Sequence, residues 1–115
     1  MLVYKILSRA AWDEAVARGR FEGAAIDLAD GYIHLSTGAQ AQDTARLHFR
    51  GQPGLVLVAL DTEALGPALT WEPSRGGQLF PHLYAVLDPA LALSVTDIPL
   101  EAEGVPQLGL DAACD

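Results

Sequence analysis

Apolar and polar positions alternate over residues 2–7, LVYKIL, with Val3 and Lys5 on one side and Tyr4 and Ile6 on the other. That period predicts a first strand. Ser8 then has N-cap chemistry, Asp13 and Glu14 fall in the early turns of a helix, and Gly19 stands just past its end. Trp12, Ala15 and Val16 follow i, i+3, i+4 spacing, so their face is expected to pack on a core. Residues 20–31, RFEGAAIDLADG, carry no helix-length period and read as a loop with a short extended piece. YIHLS at 32–36 reads as a second strand. Thr37 and Gln40 form a T-x-x-Q capping box that opens a helix running to about Arg50, where Gly51 and Pro53 stop it.

LVLVAL at 55–60 is apolar on both faces, the pattern of a central strand covered on both sides. Asp61 can cap a short helical turn at 62–65, and 69–72 is a further short strand. PSRGGQ at 73–78 is a loop. FPHLYAVL at 80–87 is extended in part, with Pro81 keeping it at a sheet edge or a strand start. LSVTDI at 93–98 alternates and reads as the last strand. Two helices in the N-terminal half and about five strands that do not alternate with them predict an α+β fold. The expected sheet is small, mixed and mostly antiparallel. A single domain over residues 1–115 is expected, ordered over about 2–110 with a short C-terminal tail.

Half of the 115 residues are apolar, enough for one hydrophobic core without a metal or disulfide staple. Seven basic against fifteen acidic residues give a net charge of −8. No basic footprint is present, so general nucleic-acid binding and docking on an anionic membrane are disfavoured. Arg75, near the candidate site, still allows a locally positive pocket. Cys114 is the only cysteine, which points to a reduced compartment. The N-terminus lacks the pattern of a secretory signal, and the longest apolar run, at 55–60, is far too short to span a bilayer. A cytoplasmic protein is expected. The sequence does not specify an oligomeric state.

Two segments carry candidate chemistry. In GYIHLST, residues 31–37, strand alternation puts Tyr32, His34 and Ser36 on one face and Ile33 and Leu35 on the other. The helix beginning at Thr37 directs free N–H groups to the same corner, which favours an anionic ligand. The plainer alternative has His34 bonding a backbone group and Ser36 helping the cap. In WEPSRGGQLFPHLY, residues 71–84, a Pro- and Gly-containing loop carries Glu72 and Arg75. Phe80, His82 and Tyr84 share a face if that segment is extended, suited to a planar ring or a sugar. The alternative is a core Phe and Tyr, a buried satisfied His82 and a surface Glu72–Arg75 pair. If both segments serve one site, the imidazoles of His34 and His82 should lie within about 15 Å of each other.

His34, His48 and His82 are the only histidines, and no HxH, HExxH or CxxC spacing occurs. No metal is expected. His48, late in the second helix, suits the negative end of its dipole. There is no nucleophile elbow, no phosphate loop and no dinucleotide fingerprint.

The order of YKI, W-D-E-A before Gly19, F-x-G at 21–23, D-x-x-D-G-Y-I-H-L-S-T at 27–37, Gln40, W-E at 71–72 and F-P-H-L-Y at 80–84 resembles bacterial domain-of-unknown-function family 952. The resemblance covers about residues 2–110. It implies a remote kinship with the ADP-ribosyltransferase-like fold, which includes RNA 2′-phosphotransferases and toxin-like transferases that use NAD. In those relatives a His-x-Thr or His-x-Ser strand holds the NAD ribose; the matching residues here are His34 and Ser36. A late catalytic glutamate of those transferases has no clear match, and Glu72 is the better acid. Arg75 and His82 are the positions that match the arginine and histidine use of the 2′-phosphotransferases.

The reading that follows is a transferase using NAD or a related nucleotide. Its catalytic candidates are His34, Glu72, Arg75 and His82. Tyr32, Ser36, Thr37, Phe80 and Tyr84 contact the small-molecule or nucleotide-like ligand. A non-catalytic binding module and an interaction or oligomerising domain are the alternatives.

Overall fold

A computed structural model describes residues 1–101 and 103–109. The expectations for Cys114 and the end of the tail lie outside the described residues. The fold is α+β, with seven strands in two antiparallel sheets and few helices among the described residues.

The larger sheet is built around the doubly apolar segment. Strand β1 (Leu2–Ser8) pairs antiparallel with β4 (Leu55–Asp61) along its whole length, from Leu2 opposite Asp61 to Ser8 opposite Leu55. Strand β7 (Ser94–Ile98) flanks β4, and the two-residue β3 (Ser36–Thr37) flanks β1, giving the order β3-β1-β4-β7. Residues 55–60 are all buried because both faces are covered. Val56, Val58 and Leu60 join Val3, Leu7, Trp12 and Ala15 on one side, under helix α1 (Arg9–Arg18). Leu55, Leu57 and Ala59 join Tyr4, Ile6, Ala41 and Ala45 on the other, under helix α3 (Gly38–His48).

Both helix starts follow their sequence chemistry. The Ser8 hydroxyl accepts from Ala11 N–H, and α1 closes on Gly19 at φ +76°, a left-handed position that favours glycine. Thr37 and Gln40 form the reciprocal capping box. Val16 departs from expectation: it is 55% exposed. Only Trp12 and Ala15 of the predicted stripe are buried, so the packed face of this ten-residue helix is narrower than the spacing suggested.

The smaller sheet has the order β2-β6-β5, with β2 (Ile33–His34), β5 (Leu69–Pro73) and β6 (Leu79–Leu83). Three further expectations are corrected here. The predicted strand at 32–36 is split: 33–34 pair with β6, whereas 36–37 pair with β1. Leu35 makes the changeover, buried and donating its N–H to the Pro81 carbonyl. The loop predicted at 20–31 contains helix α2 (Ala25–Asp30), whose six residues are too few to show a helical period. Its start is held by the Asp27 carboxylate accepting from Ala24 N–H. Pro81 lies on the central strand of this sheet, not on an edge. That is tolerated because β2 pairs only with Leu83 and His82, so the ladder on that side has ended before Pro81.

A short helix α4 (Thr62–Leu65) follows β4, its start capped by the Asp61 side chain as the sequence indicates. In the tail, Val105 and Leu108 are buried, and Gln42 of α3 bonds both the Pro106 carbonyl and the Leu108 N–H. No helix among the described residues is long and apolar enough to cross a membrane.

Candidate functional site

Register in the smaller sheet sorts its residues onto two faces. Ile33, Leu83 and Leu69 are aligned across the three strands and face the core shared with α1. His34, His82 and Thr70 are aligned on the opposite face, with Phe80 opposite Glu72 beside them. The two histidines are therefore cross-strand neighbours, with ring centroids 5.6 Å apart. Tyr32 stacks on His82 at 4.1 Å and 19° between planes, and touches His34 at 4.6 Å and Tyr84 at 5.2 Å. The two sequence segments thus meet in one cluster of four rings.

His82 is buried at 4% exposure. Its Nδ1 lies 2.8 Å from Glu72 Oε1, which also accepts the Tyr84 hydroxyl at 2.7 Å. The Tyr84 and His82 hydrogen bonds hold the Glu72 carboxyl below the usual carboxylate range. The same Glu72 bond pushes the Tyr84 phenol up to about 12. Partial burial, then the nearby Asp30 and Glu72 carboxylates, push the Tyr32 phenol up as well.

His34 is held differently. Its Nδ1 lies 2.7 Å from Asp27 Oδ1 and its Nε2 lies 2.9 Å from Asp30 Oδ2. Both nitrogens can donate at once only in the doubly protonated ring. Asp27 is the hub of this corner. It accepts from Lys5 Nζ, from the His34 ring and backbone N–H, and from Ala24 N–H, and its side chain is fully buried. Burial alone would raise the Asp27 carboxyl, but Lys5 and the His34 bonds outweigh it and hold the group below its ordinary range. Burial pulls the Lys5 ammonium down, opposed by Asp27.

A cavity of about 300 Å³ opens on the site face. Lys5, His34, Ser36, Thr44, Arg75 and His82 supply its polar lining, and Ile6, Ile26, Leu35, Phe49 and Phe80 much of its apolar wall. Arg75 sits in a turn whose Gly76 and Gly77 have φ of +68° and +77°. Its guanidinium lies 5.0 Å from the Phe80 ring centroid and donates to Thr44 Oγ1 at 3.3 Å. Among the described residues, neither Arg75 nor Arg50 makes a direct ion pair, whereas Lys5, Arg9, Arg18, Arg20 and Arg46 do. The Arg46 hydrogen bond, helped by the Arg75 charge, still holds the Asp43 carboxyl below its ordinary range.

Five of the nine residues singled out in the sequence, His34, Ser36, Arg75, Phe80 and His82, line this cavity. Tyr32, Glu72 and Tyr84 adjoin it through the His82 ring. Thr37 is buried in the capping box the sequence predicts, its hydroxyl accepting from Gln40 N–H. The Glu72–Arg75 pair of the plainer alternative does not form: Glu72 bonds His82 and Tyr84, and Arg75 bonds Thr44. His48 occupies the last turn of α3, where the dipole argument put it, and also touches the cavity. Lys5, Asp27, Asp30 and Thr44 received no role from sequence reasoning. Asp27 and Asp30 were visible only as the acids of D-x-x-D-G. Among the described residues, no group of three or more His, Cys, Asp or Glu is placed to hold a metal ion.

A family model described as "Protein of unknown function (DUF952)" matches residues 6–95. No curated protein matches the chain. Among solved structures, the crystal structure of protein CC0527 from Caulobacter crescentus is 60% identical, with 95% of this chain and 96% of that one covered and a TM-score of 0.92. The solution NMR structure of CC0527 is 61% identical over 94% of this chain and 93% of that one, with a TM-score of 0.85.

Proposed function

The chain belongs to the DUF952 family of proteins of unknown function, and we propose that its cavity binds a phosphorylated, ring-bearing small molecule of the size of one nucleotide unit. The observation that carries this reading is Arg75. In a chain of net charge −8, a guanidinium that makes no direct ion pair among the described residues, although its charge is felt by Asp43, faces a cavity also lined by Ser36 and Thr44. A planar guanidinium fork is the donor set that suits a phosphate, whereas the Thr44 hydroxyl donates to the Gln40 carbonyl and Ser36 bonds Thr44. The apolar wall suits a base or sugar ring, and Phe80 is already stacked under the guanidinium.

The kinship with NAD-using transferases is carried further on this basis. A volume of about 300 Å³ is at the low end for small-ligand pockets and favours one half of a dinucleotide over the whole. Ser36 and His82 are then the groups closest to a ribose hydroxyl. His34 is the less suited partner, since Asp27 and Asp30 occupy both of its nitrogens. That same occupancy favours a second reading, a binding module without chemistry, in which His34 is a structural strut.

Titration of labelled protein by NMR with inorganic phosphate, AMP, adenosine and NAD tests the proposal. AMP and NAD are expected to shift the amides of Ser36, Thr44, Arg75 and His82 more strongly than adenosine does. Arg75→Gln should erase the advantage of the phosphorylated ligands. No shift at millimolar concentration with any of them would overturn it. A bound ligand recovered unaltered after long incubation favours the binding module.

A further inference from the structure

We infer that Glu72 and His82 form a proton-transfer pair that makes this cavity hydrolytic toward phosphate esters, with His82 Nε2 as the base. The inference rests on the phosphate-binding reading and adds a reaction to it. Its starting point is the difference between the two nitrogens of a buried histidine side chain, 5% exposed. Nδ1 is fixed on Glu72 at 2.8 Å. Nε2 has no hydrogen-bond partner among the described residues. No side-chain nitrogen or oxygen that is fully buried lacks a partner there, so Nε2 keeps contact with open space, and His82 lines the cavity.

Everything around the ring fixes its orientation. His82 sits on the central strand of its sheet, and Tyr32 covers one ring face at 4.1 Å. An ionised Glu72 only accepts, so the neutral ring carries its proton on Nδ1 and presents a lone pair at Nε2. A carboxylate that orients an imidazole in this way is the base-and-orienter half of many hydrolytic sites. His34 cannot serve, because neither nitrogen is open.

The substrate class follows from the neighbours of His82 in the cavity. Arg75 offers charge stabilisation to a phosphoryl group, and it is held beside the cavity by Thr44, which Ser36 bonds in turn. In the reaction a water O–H bond breaks and its proton goes to His82 Nε2. The water oxygen forms a bond to phosphorus while the bond from phosphorus to the ester oxygen breaks. The ester oxygen leaves on the opposite side of phosphorus and takes its proton from solvent water, and Nε2 returns its proton to solvent. Phosphate ester and water give phosphate and alcohol, with no oxidant or reductant. Glu72 steadies the imidazolium between the two proton transfers and is a positioning residue.

The test uses the full chain and p-nitrophenyl phosphate, with release of p-nitrophenolate as the signal. His82→Gln should lower kcat by about 100-fold or more, the usual weight of a general base. Glu72→Ala should lower it about 10- to 100-fold while leaving inorganic phosphate binding in place. Nitrogen-15 NMR of the neutral wild-type ring should show the proton on Nδ1, and Glu72→Ala should move it toward Nε2. That measurement needs no activity. Phosphate binding with no turnover above His82→Gln, or a wild-type ring protonated at Nε2, overturns the inference and leaves the binding reading standing. Absence of phosphate binding overturns both.

Discussion

His34 and His82 stand opposite each other across the β2–β6 ladder, with ring centroids 5.6 Å apart, yet their nitrogens are treated in opposite ways. Both nitrogens of His34 face carboxylates, whereas His82 is held by one and open at the other. Two residues of one type on one face are thus left with different hydrogen-bonding capacity, none open at His34 and one nitrogen open at His82. The difference arises outside β2 and β6, in α2, which supplies Asp27 and Asp30, and in β5, which supplies Glu72. It predicts that His34→Ala costs folding stability, while His82→Gln chiefly alters the response to ligand. Chemical denaturation of both variants, beside a phosphate titration, checks the contrast.

Asp27 is the most consequential side chain for the fold of the site. It ties β1 through Lys5, β2 through His34 and the start of α2 through Ala24. Removing one partner of a buried ion pair leaves the other charged and unpaired. Asp27→Ala is expected to cost about 3–5 kcal/mol in urea unfolding. Lys5→Met with Asp27→Leu, which removes both charges, should recover part of that loss.

Acid stability should carry the signature of the same carboxylate. The Asp27 carboxyl is held below its ordinary range in the fold, so it contributes stability above the unfolded value of about 3.9. The contribution is lost as pH falls below that value and through the folded one. A plot of unfolding free energy against pH should therefore drop more steeply below pH of about 4 in wild type than in the doubly neutral variant.

Tyr84 reports on the other carboxylate. Its phenol is pushed up to about 12, mainly by the bond to Glu72, although the residue is 48% exposed. A raised value means the bond stabilises the fold fully below the unfolded value near 10 and stops doing so as pH passes the folded one. Absorbance titration at alkaline pH should include a phenol step at about 12. Tyr84→Phe should delete that step, and Glu72→Ala should bring it down toward 10.

Much of this arrangement was legible because local chemistry and tertiary structure agree. The doubly apolar 55–60 segment is the strand covered on both faces, and the Thr37 and Gln40 box starts the helix it was expected to start. The pairing of His34 with His82 was inferable as a meeting of two polar segments, but its register was not, since register is decided by long-range contacts. The split at Leu35 was hidden because alternation within YIHLS cannot reveal that its two ends pair with different sheets. Helix α2 was hidden because its start depends on a side chain, Asp27, whose partners Lys5 and His34 are 22 and 7 positions away. A buried charged hub leaves no periodic trace in a sequence; only the spacing D-x-x-D-G hinted at it.

Thr37 separates capping from ligand binding. The sequence offered it as a ligand contact at a helix start. In the fold its hydroxyl accepts from Gln40 N–H, its own N–H donates to Gln40 Oε1, and Gln40 Nε2 reaches the Leu79 carbonyl on β6. Every one of those bonds is internal, and Thr37 does not line the cavity. Thr37→Ala should therefore cost about 1 kcal/mol of stability, the usual loss for a missing N-cap. Phosphate and AMP titrations of that variant, run well below its melting temperature, should match wild type. Thr37→Ser keeps the oxygen and should restore most of the stability. A Thr37→Ala variant that keeps full stability but loses phosphate would move the anion contact to the helix start and away from Arg75.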